Sequence, residues 1–397
     1  MIYLDNSATT FPKPQTVRNA VSAAMAASAN PGRSGHPLSL AAARKIYSVR
    51  QTAAEFFGME NEARVIFVRN CTEGLNIALK GLLRGGDHVV VSSLEHNAVM
   101  RPLEKLSGIG VKYTKARIFA GDDDSTIDSF RRAINKDTRM IVCTHASNVW
   151  GIRLPVERLC ALAHTYGLLF VLDAAQSAGV LPLSMADGYD VVCCAGHKGL
   201  YGPMGTGLML LSEGVDPDTL TEGGTGSNSF SLVQPEDLPD RYESGTPDLS
   251  GIAGLGAGIG FVMGKGREKI SSHEFSLITR LYDRLNGKRG VVLYTDRPSE
   301  EYSVPVLSFN IEGMHSEEAA AALGRKGIAV RAGLHCAPCA HEFMKTEEIG
   351  AVRISPSVFT ARSEIDRTAQ AVIELADQRK PKSLRLKALL STSKGKP

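Results

Sequence analysis

Short apolar segments alternate with amphipathic ones through the central part of this 397-residue chain, from about Val65 to Leu211. The apolar segments have the length of buried β-strands, and the stretches between them have the length and periodicity of helices. The strand-like segments are 65–68, 88–93, 111–113, 140–145, 168–173, 189–194 and 206–211. Because parallel strands need long crossover connections, this alternation predicts an α/β fold with a mainly parallel, seven-stranded sheet covered on both faces.

Polar side chains stand at the carboxyl end of one predicted strand after another. They are Thr72, His96, Asn148, Asp173, Gln176 and Lys198. A single polar residue after a strand means little, since turns are polar anyway. Because open α/β sheets bind ligands at the carboxyl edge of their strands, the whole series predicts a binding site at that edge.

Lys198 follows the apolar segment 189–194 and lies between Gly196-His197 and Gly199. Most lysines are surface charges, and that is the alternative for this one. The apolar segment before Lys198 and the glycines on either side of it instead indicate an open turn at the edge of the sheet. A lysine between apolar walls loses its charge more easily, which suits an amine that forms a Schiff base with a carbonyl.

Lys198 together with Asp173 fits pyridoxal phosphate better than other cofactors. This cofactor needs a lysine Schiff base, a carboxylate on its pyridinium nitrogen and a cradle for its phosphate. The strand–turn–helix stretch around Thr72 offers backbone N–H groups to a phosphate, with an ordinary threonine N-cap as the alternative. His96 would stack on the ring, unless it is simply a histidine of the core.

Several motifs of the chain, from Tyr3 to about Asp366, also resemble those of a known family. They are Tyr3-Leu-Asp-Asn-Ser-Ala-Thr-Thr, Asn30-Pro-Gly-Arg-Ser-Gly-His36, Thr72-Glu73-Gly74, Glu95-His96-Asn97, Ser147-Asn148, Asp173-Ala-Ala-Gln176, Gly196-His197-Lys198, Glu243-Ser-Gly-Thr-Pro247 and Arg331-Ala-Gly-Leu-His-Cys336-Ala-Pro. As a set they resemble the cysteine desulfurase and selenocysteine lyase group of the class V, fold-type I pyridoxal phosphate enzymes. The resemblance implies the fold-type I transferase architecture, a large domain with a smaller α+β C-terminal domain.

The resemblance also implies a role for each residue of the cofactor site. Lys198 would carry the cofactor as a Schiff base and later move a proton at the substrate α-carbon, Asp173 would pair with the ring nitrogen, and His96 would stack on the ring. Gln176 would contact the ring oxygen. The residues expected to hold the phosphate are Cys71, Thr72 and His197. One contact is expected to be absent, because Ala195 stands where the family commonly has a serine.

The resemblance also implies which residues bind the substrate and which residues contact the neighbouring subunit. Gly245 and Thr246 would reach the phosphate in the site of the other subunit, which makes a homodimer obligatory. Asn148 would lie near the substrate, and Arg353 would bind its α-carboxylate through two parallel N–H bonds. The remaining candidates for substrate binding are Arg331 and His36.

Cys336 lies on a loop that resembles that of the group II desulfurases. In these enzymes the cysteine takes up the sulfur of the substrate as a persulfide, and alanine is released. Arg331 and His335 nearby would favour the thiolate, the reactive form. The alternative is a buried small hydrophobe.

Cys336 and Cys339 together make a Cys-x-x-Cys pair, which can be a redox or a zinc motif. With no second pair, zinc is a poor fit, and no metal is expected. A regulatory or persulfide-relaying disulfide stays a hypothesis, because the family usually has an apolar residue at the position of Cys339.

Composition limits the partners and the compartment. A net charge of +3 is too near balance to indicate nucleic acid or a membrane surface. No apolar run reaches the length of a membrane span and no signal sequence is recognisable, so we expect a cytoplasmic protein. The seven cysteines are scattered along the chain and do not indicate a disulfide framework.

The regular alternation of predicted strands and helices does not continue after Glu222, where a long loop precedes shorter strands and helices. We expect a large cofactor-binding domain over residues 16–255 and a small domain over 256–380, with the segment 1–15 joining the small domain. Residues 381–397 are basic and are expected to be a disordered tail. Docking to an acidic acceptor protein is the alternative for this tail.

These observations predict a homodimeric pyridoxal phosphate enzyme that converts L-cysteine to L-alanine and leaves the sulfur on Cys336. The alternatives are a selenocysteine lyase, another lyase acting on C–S or C–Se bonds, or an aminotransferase-like enzyme. A non-catalytic sulfur-carrier partner is disfavoured, because Lys198, Asp173 and Cys336 are all present. A protein that accepts the sulfur is a possible partner.

Overall fold

A seven-stranded sheet organises residues 65–211 of the computed structural model, which describes residues 1–27, 29–32 and 34–378. Its strands are β2 (Val65–Val68), β3 (His88–Ser92), β4 (Lys112–Ala116), β5 (Thr138–Thr144), β6 (Leu169–Asp173), β7 (Val191–Ala195) and β8 (Gly207–Leu211). They lie in the order β2-β8-β7-β6-β5-β3-β4. Only β8 pairs antiparallel with its two neighbours, so the predicted mainly parallel sheet is confirmed.

Both faces of this sheet are buried, which explains why its strands are apolar throughout. In β7, Val191 and Cys193 pack into the core on one face, whereas Val192 and Cys194 pack into the core on the other. The first eight α-helices of the described chain are α1 (Gln15–Ala27), α2 (Pro37–Phe56), α3 (Cys71–Leu82), α4 (Asn97–Ser107), α5 (Asp123–Ala133), α6 (Val156–Thr165), α7 (Leu249–Lys265) and α8 (Arg267–Leu285). Side chains of α3 and α4 cover one face, and those of α5, α6 and α7 cover the other.

A smaller antiparallel sheet follows in the C-terminal part. Its strands are β9 (Val291–Leu293), β10 (Leu307–Ile311), β12 (Arg331–Gly333) and β13 (Ala351–Ile354), in the order β12-β13-β10-β9. The helices of this part are α9 (Ser316–Arg325), α10 (Pro338–Met344) and α11 (Arg362–Gln378). This is the α+β arrangement expected there.

The N-terminal segment packs against this C-terminal part. Strand β1 (Ile2–Tyr3) pairs in parallel with β11 (Ile328–Ala329). Ile2 and Leu4 are buried in the same apolar cluster as residues of α8, α9 and α11. The domain boundaries stay a prediction, and the basic stretch 381–397 lies outside the described residues.

Within the described part of the chain, no single helix is long and apolar enough to cross a membrane. Helices α7 and α8 reach the required length and composition only together, and they are bent by 81° at the break between them.

A buried carboxyl group ties the turn after Lys198 to α8. Glu274 is 5% exposed, and its Oε1 accepts a hydrogen bond of 3.0 Å from the Tyr201 hydroxyl. The same hydroxyl accepts a hydrogen bond of 3.2 Å from the backbone N–H of Val358. Burial raises the pKa of Glu274 to about 8. The folded protein therefore keeps this carboxyl protonated at neutral pH.

Glu274→Gln should make the stability of the protein less dependent on pH. The folded chain holds the Glu274 proton up to about pH 8, whereas the unfolded chain releases it near 4.5, so stability from this group is lost as pH rises through that window. Glutamine removes this loss, which amounts to at most about 1.4 kcal/mol per pH unit. Urea unfolding at several pH values inside the window measures the slope. Equal slopes for both proteins would contradict a protonated Glu274.

Candidate active site

A cavity of about 220 Å³ lies at the carboxyl edge of the large sheet. Most of the predicted site residues line it: Cys71, Thr72, His96, Asn148, Asp173, Gln176, His197, Lys198, Arg331 and Arg353. They come from strand ends and helix starts that are far apart in the sequence. The structure therefore brings together what the strand-end pattern predicted.

Asp173 and Lys198 form the charged centre of this cavity. Asp173 is the last residue of β6 and is 3% exposed, and its Oδ1 accepts hydrogen bonds from Ala175 N (2.9 Å) and Cys71 Sγ (3.4 Å). Among the described residues no hydrogen bond engages Lys198 Nζ. Burial lowers the pKa of Lys198, although Asp173 works in the opposite direction. This environment favours the uncharged amine that a Schiff base requires.

His96 is held in place by the helix that it precedes. It is the N-cap of α4, and its Nδ1 accepts a hydrogen bond of 3.0 Å from Ala98 N. Burial lowers its pKa to about 4, so the ring is neutral near neutral pH. An accepting Nδ1 in a neutral ring puts the proton on Nε2. A fixed, neutral imidazole is suited to stack on an aromatic ring.

The residues expected to hold the phosphate lie at two places, the start of α3 and the turn that follows β7. Thr72 is in the first turn of α3, and helix starts offer N–H groups and positive potential to an anion. Nδ1 of His197 is buried and has no partner among the described residues. The Cys71 thiol points to Asp173 and to the Cys193 carbonyl, 3.3 Å away, so its contribution to a phosphate site would come from its backbone N–H.

These groups together fit pyridoxal phosphate. The unpartnered His197 nitrogen and the start of α3 suit the phosphate, and the Asp173 carboxylate suits the ring nitrogen. Both hydrogen bonds to Asp173 reach Oδ1, which leaves Oδ2 available. Lys198 lines the same cavity with an amine of lowered pKa. Gln176 also lies in the wall, where its Nε2 donates to the Ser7 carbonyl at 3.1 Å.

Arg353 lies on β13 and is 1% exposed. Its guanidinium is the buried positive charge at the place where the substrate α-carboxylate is expected to bind. Its Nη2 lies 2.7 Å from Asp5 Oδ1, and its Nη1 donates to the Asn148 carbonyl at 2.9 Å. Each terminal nitrogen keeps a second N–H, and Nε is buried without a partner in the described part of the chain. Donors for a carboxylate are therefore present.

Asp5 and Ser7 are two site residues that sequence reasoning did not single out. Asp5 holds the Arg353 guanidinium, and Ser7 lines the cavity. The backbone N–H of Ser7 donates a hydrogen bond of 2.8 Å to Oγ of Ser355, and this bond fixes the position of Ser7. Both residues belong to the N-terminal motif on which the family resemblance partly rests, and that motif was the available signal.

Cys336 is exposed beside the cavity, on the loop between β12 and α10. Its Sγ lies 3.8 Å from Arg331 Nη2, and its carbonyl accepts a hydrogen bond of 2.8 Å from Asn97 N. His335 is buried, and burial holds its pKa far below the usual range, so this ring is neutral. The expectation that both neighbours favour the thiolate is therefore corrected, because only Arg331 brings a positive charge.

Besides Cys336, three predicted residues lie outside the cavity of their own chain. Thr246 lines a different cavity of about 400 Å³, beside β2 and α3, and Gly245 precedes it on the exposed segment before α7. His36 is exposed and is the N-cap of α2, where its Nδ1 accepts a hydrogen bond of 3.2 Å from Ser39 N. Their roles toward a second subunit or a substrate stay predictions.

The aminotransferase class-V family model matches residues 2–368. The chain belongs to this family. It is 33% identical over 388 residues to a probable cysteine desulfurase of Methanothermobacter thermautotrophicus, with 94% of each chain covered. It is 30% identical over 387 residues to a cysteine desulfurase of Haloferax volcanii, with 94% of this chain and 88% of the relative covered.

The chain is also similar to solved structures of cysteine desulfurases. The apo cysteine desulfurase of Thermococcus onnurineus superposes with a TM-score of 0.85 at 29% identity, and 95% of each chain is covered. The cysteine desulfurase CsdA of Escherichia coli, in an S-sulfonic acid form, superposes with a TM-score of 0.84 at 25% identity, and 94% of each chain is covered. These likenesses and the family confirm the predicted fold and the pyridoxal phosphate cofactor.

Lys198→Ala should abolish covalent attachment of the cofactor. In the wild-type holoenzyme, borohydride should fix a pyridoxyl group to the peptide that contains Lys198, as read by mass spectrometry. Lys13→Met is the matched control: burial lowers the pKa of Lys13 to about 8, but its Nζ is engaged with Thr10 Oγ1 at 2.7 Å and the His197 carbonyl at 2.9 Å. Labelling that survives in Lys198→Ala, or that is lost in Lys13→Met, would contradict the assignment.

Proposed function

We propose that the protein is a pyridoxal phosphate-dependent cysteine desulfurase, which converts L-cysteine to L-alanine and takes up the sulfur as a persulfide on Cys336. The observation that carries this proposal is the exposed Cys336 thiol beside the cavity of Lys198 and Asp173, with Arg331 next to its sulfur. Relatives named cysteine desulfurase over nearly the whole chain support the same reaction.

Two residues would handle the amino-acid part of the substrate. Bound pyridoxal phosphate supplies an electron sink for negative charge at the substrate α-carbon. Arg353 would hold the α-carboxylate through its remaining N–H groups, which orients the α-carbon toward Lys198. Lys198, with its lowered pKa, would take the proton from the α-carbon at Nζ and return it. The neutral His96 ring would keep its proton at Nε2.

Cys336 would perform the sulfur transfer. Its Sγ attacks the sulfur of the substrate, so an S–S bond forms and the bond between that sulfur and the β-carbon breaks. The β-carbon takes up a proton in place of the sulfur, which gives alanine, and Cys336 becomes a persulfide. Arg331 Nη2, 3.8 Å from Sγ, would stabilise the negative charge of the attacking sulfur.

A homodimer is part of this proposal. Large apolar side chains are strongly exposed on α1 and on the segment before α7, including Met25 (71%), Phe230 (106%) and Leu232 (105%). Exposed apolar patches of this kind are typical of interaction surfaces. Gly245 and Thr246 belong to the same segment, which supports the implied contact with the phosphate of the other subunit. A sulfur-accepting protein would then collect the persulfide from the exposed Cys336.

Cys336→Ala should lower the rate of alanine formation from L-cysteine by about a hundredfold or more, because it removes the nucleophile. Cys160→Ala is the control, since Cys160 is buried on α6, outside the cavity. Quantification of alanine, with cofactor absorbance as the check on folding, measures the effect. Alanine formed at the wild-type rate by Cys336→Ala would overturn the proposal. The same assay with L-selenocysteine decides between the two substrates.

Asp5→Asn should raise the KM for L-cysteine by about tenfold and change kcat less. The variant removes the charge that anchors the buried Arg353 guanidinium, and a hydrogen bond to a charged group contributes about 1.5–3 kcal/mol. Asp283→Asn is the control, because its partner Arg297 lies at the surface. Steady-state kinetics gives both constants. An unchanged KM would show that Asp5 does not position Arg353 for the substrate.

A further inference from the structure

Cys339 has no role in the reaction described above, although it lies close to Cys336 in the chain. Only Ala337 and Pro338 separate the two cysteines, and Cys339 is in the first turn of α10. Both are free thiols, and they differ in environment. Cys336 is exposed, whereas Cys339 is 8% exposed and packs with the apolar side chains on the α3 and α4 face of the large sheet.

The two cysteines lie in consecutive backbone turns that share Ala337. Ala337 N donates a hydrogen bond of 2.9 Å to the Leu334 carbonyl, and Ala340 N donates one of 3.1 Å to the Ala337 carbonyl. Two intervening residues are the spacing of dithiol redox motifs, in which the two side chains can form a disulfide. By this spacing Cys339 is the thiol nearest in the chain to a sulfur carried on Cys336.

Lys115 lies near the buried thiol of Cys339. Burial raises the pKa of Cys339, and the nearby Lys115 ammonium works in the opposite direction. Lys115 is held there by Glu342, whose Oε2 lies 2.8 Å from its Nζ. A protonated, buried thiol does not compete with Cys336 for the substrate, and the lysine can stabilise the thiolate when it forms. These are the properties expected of a cysteine that acts second.

We propose that Cys339 resolves the persulfide of Cys336 and releases its outer sulfur as sulfide. This inference rests on the proposed function, which supplies the persulfide. The Cys339 sulfur attacks Sγ of Cys336, so a disulfide forms between the two residues and the bond from Sγ to the outer sulfur breaks. The outer sulfur leaves with the electron pair of that bond and takes the proton of Cys339, which gives hydrogen sulfide.

Attack at Sγ is favoured because the group of lower pKa leaves faster in thiol–disulfide exchange, and hydrosulfide is a better leaving group than a cysteine thiolate. The disulfide must then be reduced before the next turnover. A small dithiol or a dithiol protein supplies the two electrons, and the two cysteines regain their protons. Release of sulfide thereby becomes coupled to a thiol reductant.

A single-turnover experiment tests this inference. The holoenzyme is reduced, freed of reductant and mixed with L-cysteine equimolar to the chains, and alanine, sulfide and the mass of the peptide with residues 336–339 are measured. The wild type should release sulfide equal to alanine, and the peptide should lose two hydrogens. In Cys339→Ser and Cys339→Ala the peptide should instead gain one sulfur on Cys336, with no sulfide released. Two variants are used so that one misfolded protein does not decide the result.

The outcomes separate the two proposals. Cys160→Ser should behave as the wild type, because this buried cysteine is far along the chain from the pair. If the wild type keeps the added sulfur on Cys336 and forms no disulfide, as the Cys339 variants do, the resolving role is wrong while alanine still supports the desulfurase. If no protein forms alanine, the proposed function itself fails.

Discussion

The register of three neighbouring parallel strands determines the geometry of the cavity. Thr144 on β5 pairs with Asp173 on β6, and Asp173 pairs with Cys193 on β7. Because side chains alternate between the two faces of a sheet, Asp173 points to the face of α3, where the Cys71 thiol reaches it. A slip by one residue would turn its carboxylate into the opposite apolar core. The buried cores on both faces therefore fix the position of the Asp173 carboxylate.

Burial also determines which groups around the cavity carry charge. His96, His197 and His335 all have a pKa lowered mainly by burial, so their rings are neutral near neutral pH. The positive charge at the substrate end then comes from the guanidinium groups of Arg331 and Arg353. Burial lowers the pKa of Arg353, and the Asp5 carboxylate beside it partly offsets this effect. A substrate carboxylate would thus meet guanidinium groups as its cations, with neutral histidine rings around them.

The large sheet and most of the cavity could be predicted from the sequence, because each depends on local patterns. Apolar strands gave the sheet, and polar strand ends such as Asp173 and Lys198 marked its carboxyl edge. The pairing of Asp5 with Arg353 joins residues 348 positions apart, and no local pattern encodes it. The neutral state of His335 and the direction of the Cys71 thiol likewise depend on packing. Sequence reasoning thus identified the residues better than it identified their partners.

The N-terminal segment has a consequence for the order in which the protein is assembled. Ile2 pairs with Ile328, Asn6 Nδ2 donates to the Ser355 carbonyl at 2.9 Å, and Ser7 lines the cavity. During synthesis these residues emerge from the ribosome long before their partners, and the strands of the large sheet, residues 65–211, also emerge before those partners. One wall of the active site is therefore built last. That side of the cavity can close only after residues 328–355 have been synthesised, because Ile2 and Asn6 have their partners there.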